Sequence, residues 1–472
     1  MTRATHYDVA IIGAGPAGLF TAREIARNLS STKIILIDKG RKSAQRECPL
    51  IKVGKCIRCN LCNAVFGIGG AGLYSDGKLS IYPAGSGLKY FFRNESEIKE
   101  INEYILSIFL DKLPIGSYKY TKPGPADFKD IAKFNADESI YSKSYDVYHL
   151  GTERIQQFLS ELENELLKFG INILDQTVIF DIEVFGDIFV LSAKDVRGKT
   201  TKIYCDKLII ATGKGSAFFL RNIMNSLGVI YEFNHIDLGI RIETDRDVIR
   251  KLNDFHLDAK LKILLAGSDV EVRTFCLCDG GYLLSCFYDF DHYDRVCLIS
   301  GLSFDSKKTN NSNFGVLVRK KFPENVDPIK TQINIIREIN EASGTGTTLV
   351  QRYKEFMSDR ATTNEAYNRN RIQSTLPEIT PTNLRWFLPH YAIVSIEIFI
   401  NKLNLSFPEC INENTLLHAP VWENCFDRIK LNQDMSTSIP GLYIIGDASG
   451  FARGIVQAAS MGVYIARKII NN

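Results

Sequence analysis

An apolar segment, a glycine-rich turn and an amphipathic segment follow one another at the start of the chain. Residues Asp8–Ile12 form a short apolar run of the kind found in buried parallel strands. Leu19–Ala26 has the spacing of a helix, and Lys33–Ile37 is a second apolar run that is followed by Asp38. The pattern therefore predicts a strand, a helix and a second strand, with an acidic residue at its end.

The turn between the first strand and the helix has the spacing Gly-x-Gly-x-x-Gly. Gly13 permits a tight turn, Gly15 lets the backbone approach a pyrophosphate, and Gly18 lets the helix pack close to the strand. The helix N-terminus supplies unpaired N–H groups and the positive end of a dipole. Asp38 comes about 20 residues later, where it can accept hydrogen bonds from a ribose. This unit predicts a dinucleotide-binding site.

Helices and strands alternate in the pattern that follows. Helical spacing is found near Ser96–Leu113 and Thr152–Phe169, and the first residue of each segment is a candidate N-cap. Strand-like alternation fills Ile171–Tyr204, and the buried strand Lys207–Ala211 comes next. Together with the opening unit, these segments predict a parallel sheet that is extended by a β-meander.

The pattern changes over residues 231–419, where aromatic and charged residues are more frequent. The elements predicted there are strands at Leu238–Ile242, Val272–Leu277 and Tyr282–Tyr288, a polar loop at Lys307–Asn313, and helices near Ile329–Ala342 and Ala392–Asn401. We interpret this region as a second, inserted domain of mixed α+β structure that carries the substrate site.

A buried strand returns at Gly441–Ile445, and a last helix is predicted from Ala452 to Ile470. The two ends of the chain therefore belong to one domain. The sequence predicts an α/β protein in which residues 1–230 and 420–472 form a Rossmann-like nucleotide-binding domain around the insertion.

Composition and charge narrow the classes of function. With 472 residues, of which 45% are hydrophobic and 24% charged, the chain has an ordinary globular composition and is long enough for two or three domains. A net charge of +3 predicts neither a nucleic-acid partner nor an anionic membrane surface. No apolar run reaches the roughly 18 residues of a membrane span. The first strand starts too early to leave room for a signal peptide, so a cytoplasmic protein is expected.

Three stretches at the two ends of the chain resemble the FAD-binding elements of the glutathione-reductase-type flavoproteins. They are residues 8–38, the strand end Ala211–Gly213, and Gly441–Ala458, which resembles the second FAD signature of that superfamily. The resemblance implies FAD as the cofactor, with Asp447 at the ribityl chain and a helix from near Gly454 whose positive end faces the flavin. The residues predicted to bind the cofactor are Gly13, Gly15, Pro16, Ala17, Gly18, Asp38, Lys39, Gly70, Ala71, Gly72, Val178, Thr212, Gly213, Gly446, Asp447, Gly454, Ile455 and Val456.

A narrower similarity links the middle of the chain to the same cofactor. Four segments look like those of a group of largely uncharacterised bacterial and plastid FAD-dependent dehydrogenases, namely Cys48–Cys62, Gly67–Gly72, Ser75–Lys78 and Arg273–Gly281. That group usually has Pro where this chain has Asp279, so the local turn is expected to differ. The resemblance implies an FAD-dependent oxidoreductase, a dehydrogenase or a reductase. Such an enzyme would transfer hydride at flavin N5 on a C–C or C–N bond of a small organic substrate.

Two other functions stay open, and so does the source of the electrons. An electron-transfer flavoprotein would use an iron–sulfur or redox-thiol centre at Cys48–Cys62, whereas a non-enzymatic protein of this fold would bind a partner through the insertion. A flavin hydroxylase is disfavoured, because its second Asp-Gly signature is not evident in the sequence. A second Gly-x-Gly-x-x-Gly unit is also not evident. NAD(P)H would therefore bind transiently, or another protein would deliver the electrons.

The eleven cysteines include a cluster with the spacing Cys-x7-Cys-x2-Cys-x2-Cys. Its members are Cys48, Cys56, Cys59 and Cys62. This spacing suits the four ligands of an iron–sulfur cluster or of zinc. It also suits a redox disulfide between neighbours, and thiols that only pack are the remaining alternative. Further on, Cys276 and Cys278 share one face of a strand, either as core residues or as a thiol pair that faces the flavin.

Candidate catalytic residues are polar side chains beside apolar or glycine-rich stretches, where a proton could be exchanged with a substrate. They are Arg241, Arg273, Cys276, Tyr282, His390, Tyr391 and Arg453. Arg453 directly precedes the last helix, where it would bind a substrate carboxylate or a phosphate. Arg241 either faces a pocket or pairs with Glu243 on a solvated strand face. His390 is expected to be structural.

Overall fold

The computed structural model describes residues 5–114, 116–121, 140–143, 145–265, 267–290, 295–344, 347–423 and 426–471. The strands are β1 (His6–Ile12), β2 (Ile34–Ile37), β3 (Lys78–Ser80), β4 (Lys119–Thr121), β5 (Ile140–Lys143), β6 (Val147–His149), β7 (Asn172–Leu174), β8 (Thr177–Phe185), β9 (Ile188–Asp195), β10 (Thr200–Ile210), β11 (Tyr231–Glu232), β12 (Ile236–Asp245), β13 (Lys260–Leu264), β14 (Glu271–Cys278), β15 (Tyr282–Tyr288), β16 (Val296–Leu302), β17 (Asn311–Lys320), β18 (Leu349–Arg352), β19 (Thr380–Pro381), β20 (Leu416–Glu423), β21 (Arg428–Ile429) and β22 (Leu442–Ile444). The helices are α1 (Pro16–Asn28), α2 (Pro49–Val53), α3 (Glu95–Leu110), α4 (Thr152–Lys168), α5 (Ala217–Leu227), α6 (Arg246–Phe255), α7 (Pro328–Ala342), α8 (Tyr353–Met357), α9 (Asn364–Asn368), α10 (His390–Ser406) and α11 (Ile455–Asn471). None of the helices in these ranges is long and apolar enough to cross a membrane.

The first sheet contains both ends of the chain. Its strand order is β7-β2-β1-β10-β9-β8, and β22 pairs with the end of β10. Strand β1 runs parallel to both neighbours, so that Val9 lies opposite Ile34 on one side and Lys207 on the other. Strands β8, β9 and the first half of β10 are antiparallel. The predicted α/β fold, a parallel sheet extended by a β-meander, is confirmed.

The second sheet lies in the region that the sequence assigned to an insertion. Its order is β19-β18-β20-β12-β17-β14-β13-β5, and α10 buries Ile396 and Phe399 in the same apolar cluster as Ile240 and Ile242 of β12. This arrangement agrees with a mixed α+β insertion. The sheet also takes in β5, which precedes the predicted insertion, and β20, which runs beyond its predicted end. The division at residues 231–419 therefore stays a prediction.

Some predicted element ends were wrong by a few residues. Helix α3 begins after Asn94, whose side chain accepts a hydrogen bond from the Glu97 N–H, and the predicted cap Ser96 lies inside the helix. Asn94 is the N-cap because its side chain reaches the unpaired N–H three residues later. Strand β17 already starts at Asn311, inside the predicted polar loop, and the last helix starts at Ile455 rather than at residue 452.

Thr152 is the first residue of α4 and not its cap, a position that Gly151 takes. The Thr152 hydroxyl bonds instead to the carbonyl oxygens of Ser75 and Ser303, at 2.9 and 3.0 Å. The start of α4 is thus tied both to the segment before β3 and to the loop after β16.

Helices α1 and α11 pack so closely that the two ends of the chain touch through their backbones. A Cβ on Gly462 would collide with the carbonyl oxygen of Ala17, and a Cβ on Gly446 would lie 3.0 Å from the Ala17 Cβ. The contact brings the segment after β22 next to the glycine turn after β1.

Candidate functional site

The turn after β1 has the tight geometry that its glycine spacing predicts. Gly13 has a φ of 102°, and a Cβ there would lie 2.5 Å from the carbonyl oxygen of Ala211. A Cβ on Gly18 would collide with the carbonyl oxygen of Gly13, so α1 meets β1 backbone to backbone. Gly15 is the N-cap of α1, and no side chain caps the first N–H groups of the helix. This helix end has the form of an anion-binding site.

The Asp38 side chain is hydrogen-bonded to the backbone of the same turn. Its carboxylate accepts hydrogen bonds from the N–H groups of Ala14, at 2.9 Å, and Gly40, at 2.8 Å. Each carboxylate oxygen retains a further lone pair. A hydrogen bond from a ribose to Asp38 is therefore compatible with this geometry and stays a prediction.

The glycine-rich stretch that follows the cysteines lies across the N-terminus of α1. A Cβ on Gly70 would lie 3.0 Å from the Cα of Gly15. A Cβ on Gly72 would lie 3.5 Å from Pro16 and 3.7 Å from Ile455 at the start of α11. Three segments that are far apart in the sequence therefore converge at the first turn of α1, and each contains residues predicted to bind the cofactor.

Arg46 fixes this stretch, and the sequence analysis missed it. Its buried guanidinium donates hydrogen bonds to the carbonyl oxygens of Asn63, Gly67, Ile68 and Gly70, at 2.8 to 3.2 Å. Burial lowers the pKa of Arg46 to about 10, so the group remains charged at neutral pH. An arginine in a polar segment gives no local signal of such burial, because its partners come from a different part of the chain.

Two residues predicted to bind the cofactor carry polar groups with no partner among the described residues. The Thr212 Oγ1 atom is buried without a hydrogen bond, and no hydrogen bond or ion pair to the Asp447 carboxylate is found within the described ranges. Because Ile210 of β10 lies opposite Ile444 of β22, the residues that follow these strands lie at the same sheet edge. Buried polar groups normally have partners. The residues present therefore fit a polar ligand of the FAD kind.

The environment of Asp447 gives a testable pH dependence. Burial, together with the nearby Glu423, raises the pKa of Asp447 to about 6 from 3.8. Because the folded-state pKa lies above the unfolded value, the ionised Asp447 carboxylate destabilises the flavin-free protein. This destabilisation is absent below about pH 3.8 and complete above about pH 6. We expect Asp447→Asn to stabilise the flavin-free protein by roughly 1–3 kcal/mol at pH 7.5. This gain should vanish near pH 4.

Thermal unfolding of flavin-free wild-type and variant protein between pH 4 and pH 8 measures the effect. The matched control is Glu103→Gln, which removes an exposed carboxylate from α3 and should change the midpoint little at any pH. An equal shift at both ends of the pH range would contradict the assigned environment of Asp447.

Lys39 and Val178 lie beside Asp38 rather than at the first turn of α1. The Thr177 N–H donates to the Asp38 carbonyl oxygen at 3.0 Å, which brings β8 next to the end of β2. Lys39 and Val178 line a surface depression of about 470 Å³, and Val178 is 46% exposed. The Lys39 Nζ also lies 4.0 Å from the centre of the Phe66 ring. The depression is thus lined by residues on either side of the backbone contact between Asp38 and Thr177.

Asp237 gathers three arginines at the boundary between the two sheets, and it was not predicted. Its fully buried carboxylate lies 2.7 Å from Arg273, 2.8 Å from Arg319 and 2.7 Å from Arg453. Burial alone would raise the pKa of Asp237, but the three guanidinium groups outweigh it and hold the pKa well below its ordinary value. Arg453 and Arg273 therefore already have an anionic partner within the protein.

Arg241 is buried, and its predicted pairing with Glu243 on a solvated face was wrong. The Arg241 Nε donates to Asn313 Oδ1 at 2.7 Å, whereas the Glu243 carboxylate lies 3.1 Å from the His418 ring nitrogen. Both side chains are almost fully buried. The local alternation suggested a solvated strand face, but both faces of β12 are covered, since every residue from Ile236 to Thr244 is buried.

Arg241 belongs to a second polar cluster, together with Asp76, Lys78, Cys276 and Cys278. Its Nη2 donates to the Cys276 carbonyl oxygen at 2.9 Å and to the Cys278 sulfur at 3.3 Å. Lys78 Nζ lies 3.0 Å from Asp76 Oδ2, and it also donates to the backbone carbonyl of Leu277. The structure thus brings together the two sequence segments Ser75–Lys78 and Arg273–Gly281, which resemble segments of one dehydrogenase group but lie about 200 residues apart in the chain.

The remaining candidate catalytic residues are Tyr282, His390 and Tyr391. The Tyr282 ring packs edge-on against Phe304, with 5.9 Å between the ring centres. His390 is exposed as the first residue of α10. Burial raises the pKa of Tyr391 to about 12, and Lys320 lies over its ring. None of these contacts supports a catalytic role.

Cys48, Cys56, Cys59 and Cys62 are free thiols. In the part of the chain that the structure describes, their sulfur atoms are not close enough together to form a group of three metal ligands. Burial raises the pKa of Cys48 to about 11 and also raises that of Cys56 and Cys62. Within the described residues, the group of three ligand atoms that lie within 4.8 Å of one another is formed by Asp76, Cys276 and Cys278, not by this cluster. Iron–sulfur, zinc and redox-disulfide chemistry at this cluster stay predictions that the geometry does not favour.

Comparison with known proteins gives a family match over most of the second sheet. Residues 235–421 match the family model described as "FAD-dependent protein, C-terminal domain-like". The match supports an FAD-dependent family and FAD as the cofactor of this chain. It begins just before β12 and ends within β20, and it therefore includes Asp237, Arg241, Cys276 and Cys278 of the two polar clusters.

Proteins that align with nearly the whole chain have low sequence identity to it. A protein of Clostridium beijerinckii, described as an uncharacterized protein, is 24% identical over 98% of this chain and 80% of its own length. The crystal structure of a flavoprotein/dehydrogenase from Cytophaga hutchinsonii is 13% identical, with a TM-score of 0.42 over 98% of this chain and 79% of that one. Glycine oxidase from Geobacillus kaustophilus is 10% identical, with a TM-score of 0.41 over 99% of this chain and 95% of that one. TM-scores this low support no argument about activity.

Proposed function

We propose that this chain is an FAD-dependent oxidoreductase, a dehydrogenase or a reductase that acts on a C–C or C–N bond of a small organic substrate. The substrate would lie between residues 231–419 and the FAD-binding domain made of residues 1–230 and 420–472. Bound FAD supplies a hydride acceptor or donor at flavin N5. In the other half-reaction, NAD(P)H or another protein would deliver or remove the same electron pair.

One observation carries the proposal. The uncapped N-terminus of α1 at Gly15 lies against Gly70 on one side, while the neighbouring Ala17 contacts Gly446 from the other end of the chain. These four residues place no side chain larger than a methyl group beside a helix end whose N–H groups and dipole favour a diphosphate. Thr212 and Asp447 would offer a hydroxyl and a carboxylate to the same ligand.

The charges near the start of α11 favour an anionic substrate. The two carboxylates Asp237 and Glu271 lie within ion-pair distance of four cations, and this group is the first polar cluster. The cations are Lys262, Arg273, Arg319 and Arg453. Among the arginines, Arg453 is the most exposed, at 36% of its side chain. A guanidinium with spare donors binds a carboxylate well, so we propose a small carboxylate-bearing substrate.

An absorption spectrum of purified protein tests the proposal. We expect yellow protein that releases FAD on denaturation and that loses its visible flavin absorption when a substrate is added without oxygen. Small organic acids and their methyl esters, tested as matched pairs, separate the charge preference from the reaction type, because only the acids should bleach the flavin efficiently. Colourless protein that takes up no FAD on reconstitution would overturn the proposal.

A further inference from the structure

Two cysteine sulfur atoms are brought together where β14 departs from regular strand geometry. The pairing of β14 with β17 shifts register between Phe275 and Cys278, and Cys276 has a φ of 46°. In a regular strand, residues two apart are separated by roughly 6.6 Å. The bulge instead places the sulfur atoms of Cys276 and Cys278 only 3.7 Å apart. Positive φ is uncommon at a non-glycine residue, and functional sites are among the places where it is retained.

The surroundings of the pair favour a thiolate. Arg241 donates a hydrogen bond to the Cys278 sulfur at 3.3 Å, and Lys78 is bound to the Leu277 carbonyl between the two cysteines. The hydrogen bond with Cys278, together with Arg241 and Lys78, lowers the pKa of Cys276 and outweighs burial and the nearby Asp76. The pKa of Cys278 is raised, so Cys276 is the thiol of the pair that loses its proton more easily. A lowered thiol pKa beside arginine and lysine is typical of reactive cysteines.

The same cations argue against a metal ion. Asp76 Oδ2 lies 3.8 Å from each sulfur atom, so the three groups could in principle coordinate one ion. Arg241 already binds the Cys278 sulfur, and Lys78 already binds Asp76 at 3.0 Å. A metal cation would have to displace or approach two buried positive charges, which electrostatics strongly disfavours. The charges around the pair therefore favour thiol chemistry over metal binding at this site.

Strand β3 lies between the cysteine pair and the start of α11 and contacts both. Gln457 in the first turn of α11 donates to the Ser80 carbonyl oxygen at 2.7 Å, and Ser80 is the last residue of β3. Lys78, at the other end of this three-residue strand, contacts Leu277. The contacts thus run from the start of α11 through β3 to the two cysteines.

We propose that Cys276 and Cys278 are a redox-active dithiol that exchanges an electron pair with the FAD of the proposed function. Oxidation of the pair breaks two S–H bonds, forms one S–S bond and releases two protons and two electrons. The electron pair and one proton reduce oxidised FAD, and the second proton leaves through Asp76, which is the carboxylate nearest to both sulfur atoms. The reverse step regenerates the two thiols.

The first experiment tests the dithiol without reference to the flavin. Full-length protein is incubated with excess oxidised or reduced dithiothreitol, quenched in acid, alkylated and digested, and the peptide that contains both cysteines is analysed by mass spectrometry. We expect a Cys276–Cys278 disulfide in the oxidised sample and two alkylated thiols in the reduced one. The buried Cys205, whose pKa is raised to about 12 by burial, should be alkylated in both samples. Two alkylated thiols at positions 276 and 278 after oxidation would overturn the proposal.

The second experiment tests the link to FAD by anaerobic reductive titration of oxidised holoprotein. Cys276→Ser and Cys278→Ser should each take up two electrons fewer per FAD than the wild type, because one disulfide is lost. Cys205→Ser should match the wild type, and the flavin absorption of each variant shows that it is folded and loaded. Equal electron uptake in all four proteins would refute the electron exchange. A protein that binds no FAD would refute the proposed function, while the first experiment would still decide the dithiol.

Discussion

Gly15→Ala is expected to cost the protein its FAD while leaving the flavin-free fold intact. A Cβ at this position has Gly70 Cα as its nearest neighbour, at 3.8 Å, which is an ordinary contact. The Gly15 backbone, with φ of −77° and ψ of −177°, is open to alanine. The same Cβ would stand where a diphosphate approaches the N–H groups at the start of α1. We expect the dissociation constant for FAD to rise about tenfold or more, equivalent to at least about 1.4 kcal/mol.

Gly18→Ala is the matched comparison for this variant. Its Cβ would collide with the Gly13 carbonyl oxygen, so it should lower the thermal midpoint of the flavin-free protein as well as the flavin content. The measurements are the ratio of flavin to protein absorbance after dialysis and the midpoint of the flavin-free protein. Full FAD retention by folded Gly15→Ala protein would place the pyrophosphate elsewhere.

Asp237→Asn is expected to have the largest effect on stability among single charge changes. The substitution keeps the volume of the side chain but removes the carboxylate that Arg273, Arg319 and Arg453 share. Glu271 remains as a more distant partner of Arg273 and Arg319 only, at 4.0 and 3.6 Å. Removing one partner of a buried ion pair typically costs about 3–5 kcal/mol, because the remaining charges stay buried and unpaired. We expect a loss of about 3 kcal/mol in the free energy of unfolding at pH 7. Urea unfolding measures this loss as a lower midpoint.

The pH dependence of this loss follows from the depressed pKa of Asp237. A group whose folded-state pKa lies below the unfolded value of 3.8 stabilises the protein above that pH and loses the contribution as the pH falls further. The difference between wild type and variant should therefore be constant from pH 8 to pH 5 and shrink below about pH 3.8. Glu183→Gln, which breaks a surface pair with Lys202, is the control and should cost less than about 1 kcal/mol. A loss no larger than that of the control would show that the three arginines do not depend on Asp237.

The glycine turn could be predicted in detail, whereas the two polar clusters could not. Gly13, Gly15 and Gly18 have a spacing with a local geometric meaning, and the structure gives Gly13 the positive φ that such a turn requires. Asp237 and Arg453 are 216 residues apart in the chain, and no local pattern announces their contact. For Arg241 the sequence left a pocket and a solvated face as alternatives, because alternation along one strand does not show what covers its polar face.

The sequence by itself determined the kind of fold. Hydrophobic periodicity and glycine spacing act over a few residues, and they were sufficient for the βαβ opening, the meander, the return of the chain end and the prediction of a dinucleotide. The tertiary structure alone decided which polar side chains meet. It set Arg46 on the carbonyl groups of the glycine stretch, and it brought Asp76 and Lys78 to Cys276 and Cys278. Such meetings depend on how segments that are far apart in the sequence pack against one another, and this packing is fixed by the whole chain rather than by any one segment.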